Sequence, residues 1–151
     1  MAQKKLLIFM PSIEGGGVEK NFFIISNFLS NKIDNVSVIT ISNTYKNNLS
    51  KKLNFISMKS KIWEKFGRRF KFLLSLYLLM KKILTDRNVI VLCFQGNAYC
   101  ILMCKIFGIK VIVRSNSSPS GWSKNFLKII AYKTIYSLAD EVIVNSIEFK
   151  N

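Results

Sequence analysis

The chain has 151 residues, half of them hydrophobic and 21% charged, with 23 basic residues against 8 acidic and a net charge of +15. That composition builds one folded domain with a real core and excludes intrinsic disorder, and two prolines and seven glycines exclude collagen-like and linker classes. With no histidine, the chain has no histidine general base, no Ser–His or Cys–His nucleophile pair and no His-containing zinc site.

Residues 6–10 (LLIFM) are a short apolar run stopped by Pro11 and a glycine-rich segment. The run is too short for a signal peptide and reads as a buried strand of a parallel sheet. Val18, Phe22, Ile25 and Leu29 then recur at helical spacing. A β-branched strand is expected at 35–41, a polar loop at 44–52 and a short strand at 54–58. Over 61–84 the pattern predicts one long helix. Its core face is expected to carry Ile62, Phe66, Phe70, Leu73, Tyr77, Met80 and Leu84. Residues 88–94 read as a buried strand, 98–107 as a helix ended by Gly108, and 109–113 as a strand. A loop at 114–121, a helix at 122–138 and a strand at 142–144 follow. No run of about 18 apolar residues occurs, so no transmembrane helix is expected. The alternation predicts an α/β fold over 1–151 as a single domain: a mainly parallel sheet with helices on both faces.

Open parallel sheets bind ligands beyond the carboxyl ends of their strands, so four loops carry the candidate chemistry. In the first, Glu14, Gly15, Gly16 and Gly17 lead into a helix, and glycine N–H groups at a helix N-terminus suit phosphate. The alternative is a tight strand-to-helix turn. The loop lacks the GK[ST] ending of a P-loop and the GxGxxG spacing of a nicotinamide-binding motif. Glu19 reads as a partner of the helix dipole, and Glu14 as a group that can orient a hydroxyl or act as a base. In the second loop, Gln95 and Asn97 are amides suited to sugar hydroxyls, with Asn97 equally suited to cap its helix. The third holds Arg114, Ser115 and Asn116, which can bind phosphate or hydroxyls or form a capping turn. The fourth holds Asn145, Ser146 and Glu148. Asp140 and Glu141 are expected to be solvated. No carboxylate pair is spaced for hydrolysis, and no catalytic residue is assigned.

Between residues 59 and 87, nine basic residues face two acidic ones. Lys61, Lys65, Arg68, Arg69 and Lys71 lie beside apolar side chains, as in an interfacial membrane helix, and are expected to dock on anionic lipid. The alternative is a helix covered by a neighbouring domain, with a solvated basic end. The chain lacks an arginine-rich recognition helix, an aromatic RNA platform and a zinc finger, which points away from nucleic acid. Cys93, Cys100 and Cys104 form no CxxC and are expected to be reduced, buried thiols without a metal.

The opening KKLLIFMPSIEGGGVEKNFFIISNFLS and the ending VIVRSNSSPSGW…YSLADEVIVNSIEFK resemble family-4 glycosyltransferases of the GT-B fold, especially those of bacterial surface-polysaccharide synthesis. The resemblance implies the Rossmann-like amino-terminal half of a two-domain hexosyltransferase-type enzyme, acting in lipopolysaccharide or capsule biosynthesis. This half would bind a lipid-linked or polysaccharide acceptor. The other half would bind a nucleotide-sugar donor as co-substrate, with no cofactor and no essential metal. Gly15, Gly16 and Gly17 match the family loop that approaches donor phosphates and acceptor. Arg114, Ser115 and Asn116 match a loop where relatives carry a histidine or a Glu-Arg-Asn run. Asn145, Ser146 and Glu148 match the loop after the last strand of that half. The length implies that the donor-binding half is absent, as in a fragment, a truncated product or half of a split enzyme. The implied location is cytoplasmic, peripheral at the inner face of the cell membrane. The alternative is a non-enzymatic, membrane-associated partner subunit or an inactive truncated homologue.

Overall fold

The computed structural model describes residues 4–115 and 125–144. Strand β1 (Lys5–Phe9) leads into α1 (Gly17–Lys32) and β2 (Val36–Ile39). A 3-10 turn (Asn43–Asn48), β3 (Asn54–Ile56) and a second 3-10 turn (Lys61–Lys65) follow. The chain continues through α2 (Arg68–Thr85), β4 (Val89–Cys93), α3 (Asn97–Ile106), β5 (Lys110–Ser115), α4 (Phe126–Ser137) and β6 (Glu141–Val144). The six strands form one parallel sheet in the order β3-β2-β1-β4-β5-β6. The protein thus has the α/β, Rossmann-like fold expected from the alternation of elements.

Period-two alternation divides the core between the two faces of the sheet. Ile8, Met10, Val38, Leu92 and Phe94 pack with Phe22 of α1 on one face. Leu7, Phe9, Val91, Cys93, Val111 and Val113 pack with Leu79 and Ile83 of α2 and Ile101 of α3 on the other. Helix α1 therefore covers one face, and α2, α3 and α4 cover the other. The three cysteines are buried, and Cys93 on β4 lies against Cys100, so the fold brings in a third thiol that helical spacing alone did not place. Burial raises the Cys100 thiol well above its ordinary pKa, and both neighbouring thiols add to the shift. All three therefore behave as small core hydrophobes.

The segment 61–84 is not one helix. Ser60 accepts a hydrogen bond from Ile62 N–H and starts the short 3-10 turn, and Gly67 in extended backbone begins α2 afresh. The expected core face is also inverted. Ile62, Phe66, Phe70, Leu73, Tyr77 and Leu84 are the exposed side chains, whereas Ser75, Leu79 and Ile83 are buried. The helix is apolar on more than one side, so periodicity does not select the buried row. Ser75 does: its hydroxyl donates to Pro11 O at 3.1 Å, and its small size lets α2 approach the loop after β1.

Three smaller departures also have local causes. Strand β5 runs on through Arg114 and Ser115, whose neighbours on β6 are Ile143 and Val144, so these two residues are strand and not loop. Helix α4 starts at Phe126, where Asn125 Oδ1 accepts the N–H groups of Leu127 and Lys128. Asp140 is not simply solvated. It accepts from Lys105 Nζ and from Val111 N–H, both at 2.7 Å, and ties α3 to the start of β5.

The Lys105 and Val111 contacts hold the Asp140 carboxyl below its ordinary pKa, so its contribution is complete above the unfolded value of about 3.9 and is lost as pH falls through the folded value. Asp140→Asn should therefore cost about 1 kcal/mol at pH 7, a figure reduced for the pair's partial exposure. The gap from the parent protein should narrow as pH falls below the unfolded value and through the lowered folded one, as read from urea unfolding midpoints across that range.

Candidate functional site

In this strand order the direction in which strands are added to the sheet reverses between β1 and β4, so the loops leaving those two strands diverge there, the place where open parallel sheets bind ligands. The residues after β1 are held firmly. Ile13 N–H donates to Ser42 Oγ at 2.9 Å, Ile41 N–H to Pro11 O at 3.2 Å, and Ser75 Oγ to Pro11 O. Beyond that anchor the glycines stay open. Gly15 has φ +85° with nothing within 4 Å of a would-be side chain, and Gly17 is equally clear. Gly16 is extended and caps α1 without a side-chain hydrogen bond.

Glu19 bears directly on the anion chemistry of this loop. It is the third residue of α1, only 8% exposed, and its Oε2 lies 2.9 Å from where a Cβ on Gly16 would sit. Its carboxylate thus folds back over the first turn, where helix-dipole charge favours an anion. A phosphate reaching the glycine N–H groups shares that turn with Glu19. Glu14 stands at the mouth, with Ser12 Oγ at 3.3 Å and Arg68 Nη1 at 3.9 Å. The start of α2 is thereby placed beside the glycine loop, which its position in the sequence did not indicate.

At the end of β4, Gly96 is left-handed (φ +76°, ψ 32°) and holds the position before α3. Asn97 is the first helical residue and does not cap; its Nδ2 donates to Arg114 O at 2.8 Å and to Tyr136 Oη at 2.9 Å. Burial raises the Tyr136 phenol above its ordinary pKa, against the lowering effect of this bond. Asn97 Oδ1 and Gln95 Oε1 are buried acceptors with no partner. Arg114 is 7% exposed, its guanidinium 5.9 Å over the Phe94 ring, and burial lowers its pKa. Ser115 is equally buried beside it.

The fold therefore gathers Glu14, the three glycines, Gln95, Asn97, Arg114 and Ser115 at one end of the sheet, with Asn97 and Arg114 built into its floor. Asn116, Asn145, Ser146 and Glu148 lie outside the described residues. The basic candidates Lys65, Arg68 and Arg69 are exposed and Lys71 is half-buried, while Lys61 lies in the second 3-10 turn. Trp63, Phe66 and Phe70 stack among them, with ring centroids 4.7 to 6.0 Å apart. Among the described residues no helix is long and apolar enough to cross a membrane. Sequence patterns assigned Ser42 and Ser75 no role, and marked Phe72 only as an apolar residue off the core stripe. The signal for Ser75 was a lone hydroxyl in an apolar helix, and for Phe72 its place off the predicted stripe. No family model and no curated protein sequence matches this chain.

Proposed function

We propose that this chain is the acceptor-side domain of a family-4 type glycosyltransferase, working with a second, donor-binding unit at the cytoplasmic face of the membrane. The observation that carries the reading is the reversal of strand order between β1 and β4, with the candidate groups on the segments that leave these strands. An open glycine loop follows β1, buried amides follow β4, and a buried arginine lies at the end of β5, all at the same end of the sheet. Backbone N–H groups and cations at such a place suit the negative charge that develops on a departing nucleoside diphosphate. Amide oxygens without partners suit hydroxyl donors of a sugar. The exposed aromatic and basic side chains around Gly67 suit an anionic membrane surface, which would bring in a lipid-linked acceptor.

Replacing Gly16 by valine tests the reading. Its backbone is extended (φ −161°, ψ −173°), which a β-branched residue adopts readily, and the new Cβ meets only the movable end of Glu19. The fold should survive while the mouth of the loop fills. Nucleoside diphosphate release from a panel of nucleotide sugars, assayed with the donor-binding unit and lipid acceptors, should fall about 100-fold or more, while loss of the glycine N-cap lowers stability by only about 1 kcal/mol and leaves the protein folded. Full turnover in Gly16→Val would remove the loop from the mechanism.

A further inference from the structure

A groove of about 420 Å³ runs between α2 and α3, within the usual size range of small-molecule sites. Phe72, Leu73, Leu76 and Tyr99 wall it, and Arg68 and Arg69 stand at one end. Among the described residues no acidic side chain lines it and none lies in the first turn of α2, the carboxylate beside the arginines being that of Glu14, 3.9 Å from Arg68. Its wall is structural as well as apolar: the Phe72 ring packs edge-on against Phe9 and Tyr99 and covers Gly96. The arginine end adjoins the glycine loop, since Arg68 reaches Glu14. Its open side merges with the exposed stripe of α2, because Leu73 is 64% exposed and belongs to both.

We propose that this groove seats a single-chain lipid phosphate, its hydrocarbon along Phe72, Leu73, Leu76 and Tyr99 and its phosphate on Arg68 and Arg69. The charge distribution selects the occupant. Apolar walls reward a hydrocarbon chain, and two guanidiniums at one end match the planar, multidentate recognition of phosphate. One groove accommodates one chain, which favours a single-chain lipid over a two-chain phospholipid. The seat delivers the phosphate to the mouth of the loop holding residues 14–17. As the acceptor's seat it rests on the transferase reading; as a binding site it stands on its own.

Calorimetric titration with decyl phosphate, kept below its micelle-forming concentration, should show saturable binding. Decanol and inorganic phosphate should each bind about tenfold more weakly or worse. Leu73→Glu, and separately the pair Arg68→Gln and Arg69→Gln, should each weaken decyl phosphate roughly tenfold. Both sets change exposed side chains, so the unfolding midpoint should hold. Undiminished binding in both variants, or equal binding of inorganic phosphate, overturns the groove. Flotation with phosphatidylglycerol vesicles separates this site from the membrane-facing stripe: Phe66→Ser with Phe70→Ser should lose vesicles and keep decyl phosphate. Loss of both together would mean that decyl phosphate reports only the stripe, and would overturn the proposal. Normal sugar transfer to a lipid acceptor with no decyl phosphate binding would sink the groove and leave the transferase standing. Decyl phosphate binding without transfer to any lipid phosphate would do the reverse.

Discussion

Gly96→Ala should lower the free energy of unfolding by about 3 kcal/mol, the largest single effect expected from any glycine among the described residues. Two costs add at this position. The backbone is left-handed (φ +76°), which an L side chain adopts at a cost of about 1–2 kcal/mol. A Cβ built there would also lie 1.7 Å from Phe72 Cζ and 2.5 Å from Cε1, so the ring must leave its seat between Phe9 and Tyr99. Overpacking of that kind costs about 1–3 kcal/mol. Gly108 supplies the control, because it has φ +67° and nothing within 4 Å of a would-be Cβ. Gly108→Ala should therefore cost only the backbone part, about 1 kcal/mol. Urea unfolding of the two variants reads the difference. Equal losses would mean that Phe72 does not close over Gly96. Displacement of Phe72 should also disturb the α2–α3 groove, so Gly96→Ala should weaken decyl phosphate binding while Gly108→Ala should not.

The second large effect concerns which side of α2 meets the sheet. Leu79 and Ile83 are fully buried against β-strand residues of both halves of the sheet, including Phe9, Ile39 and Val91. Leu79→Ala should cost about 3 kcal/mol, within the range for a leucine truncated in a packed core. Leu84→Ala, on the face that periodicity had assigned to the core, should cost no more than about 0.5 kcal/mol, because Leu84 is 54% exposed. Thermal or urea unfolding decides between the two orientations: a larger loss at Leu84 than at Leu79 would restore the sequence-derived face. The exposed stripe carries the mutually packed Trp63, Phe66 and Phe70, with the exposed Lys65, Arg68 and Arg69 beside them in sequence.

Much of the fold was legible before any coordinates because buried parallel strands are written as apolar, β-branched runs. LLIFM, NVIVLCF and the run from Ile109 to Val113 each became a strand within one or two residues of the expected bounds. Strand ends in such a sheet form a binding edge, so the glycine loop, Gln95, Asn97, Arg114 and Ser115 could be assigned to a common end from order alone. Local chemistry could not give their roles. Asn97 has the residue type of an N-cap, yet it spends its amide on Arg114 O and Tyr136 Oη, groups 17 and 39 residues away. Glu19 could be read as a dipole partner, but not as a carboxylate folded under the very glycines proposed for phosphate.

What the sequence by itself determined is the class of fold, the order of its elements and the placing of the glycine loop, because these follow from period, propensity and turn chemistry within short windows. The tertiary structure alone decided the buried face of α2, the arrival of Arg68 at Glu14, the closing of Phe72 over Gly96 and the groove that results. Each of those depends on two segments distant in sequence meeting in space. A helix apolar on several sides carries no local mark of which row will meet the sheet; the small, hydrogen-bonding Ser75 makes that choice only once the loop after β1 is in place to receive it.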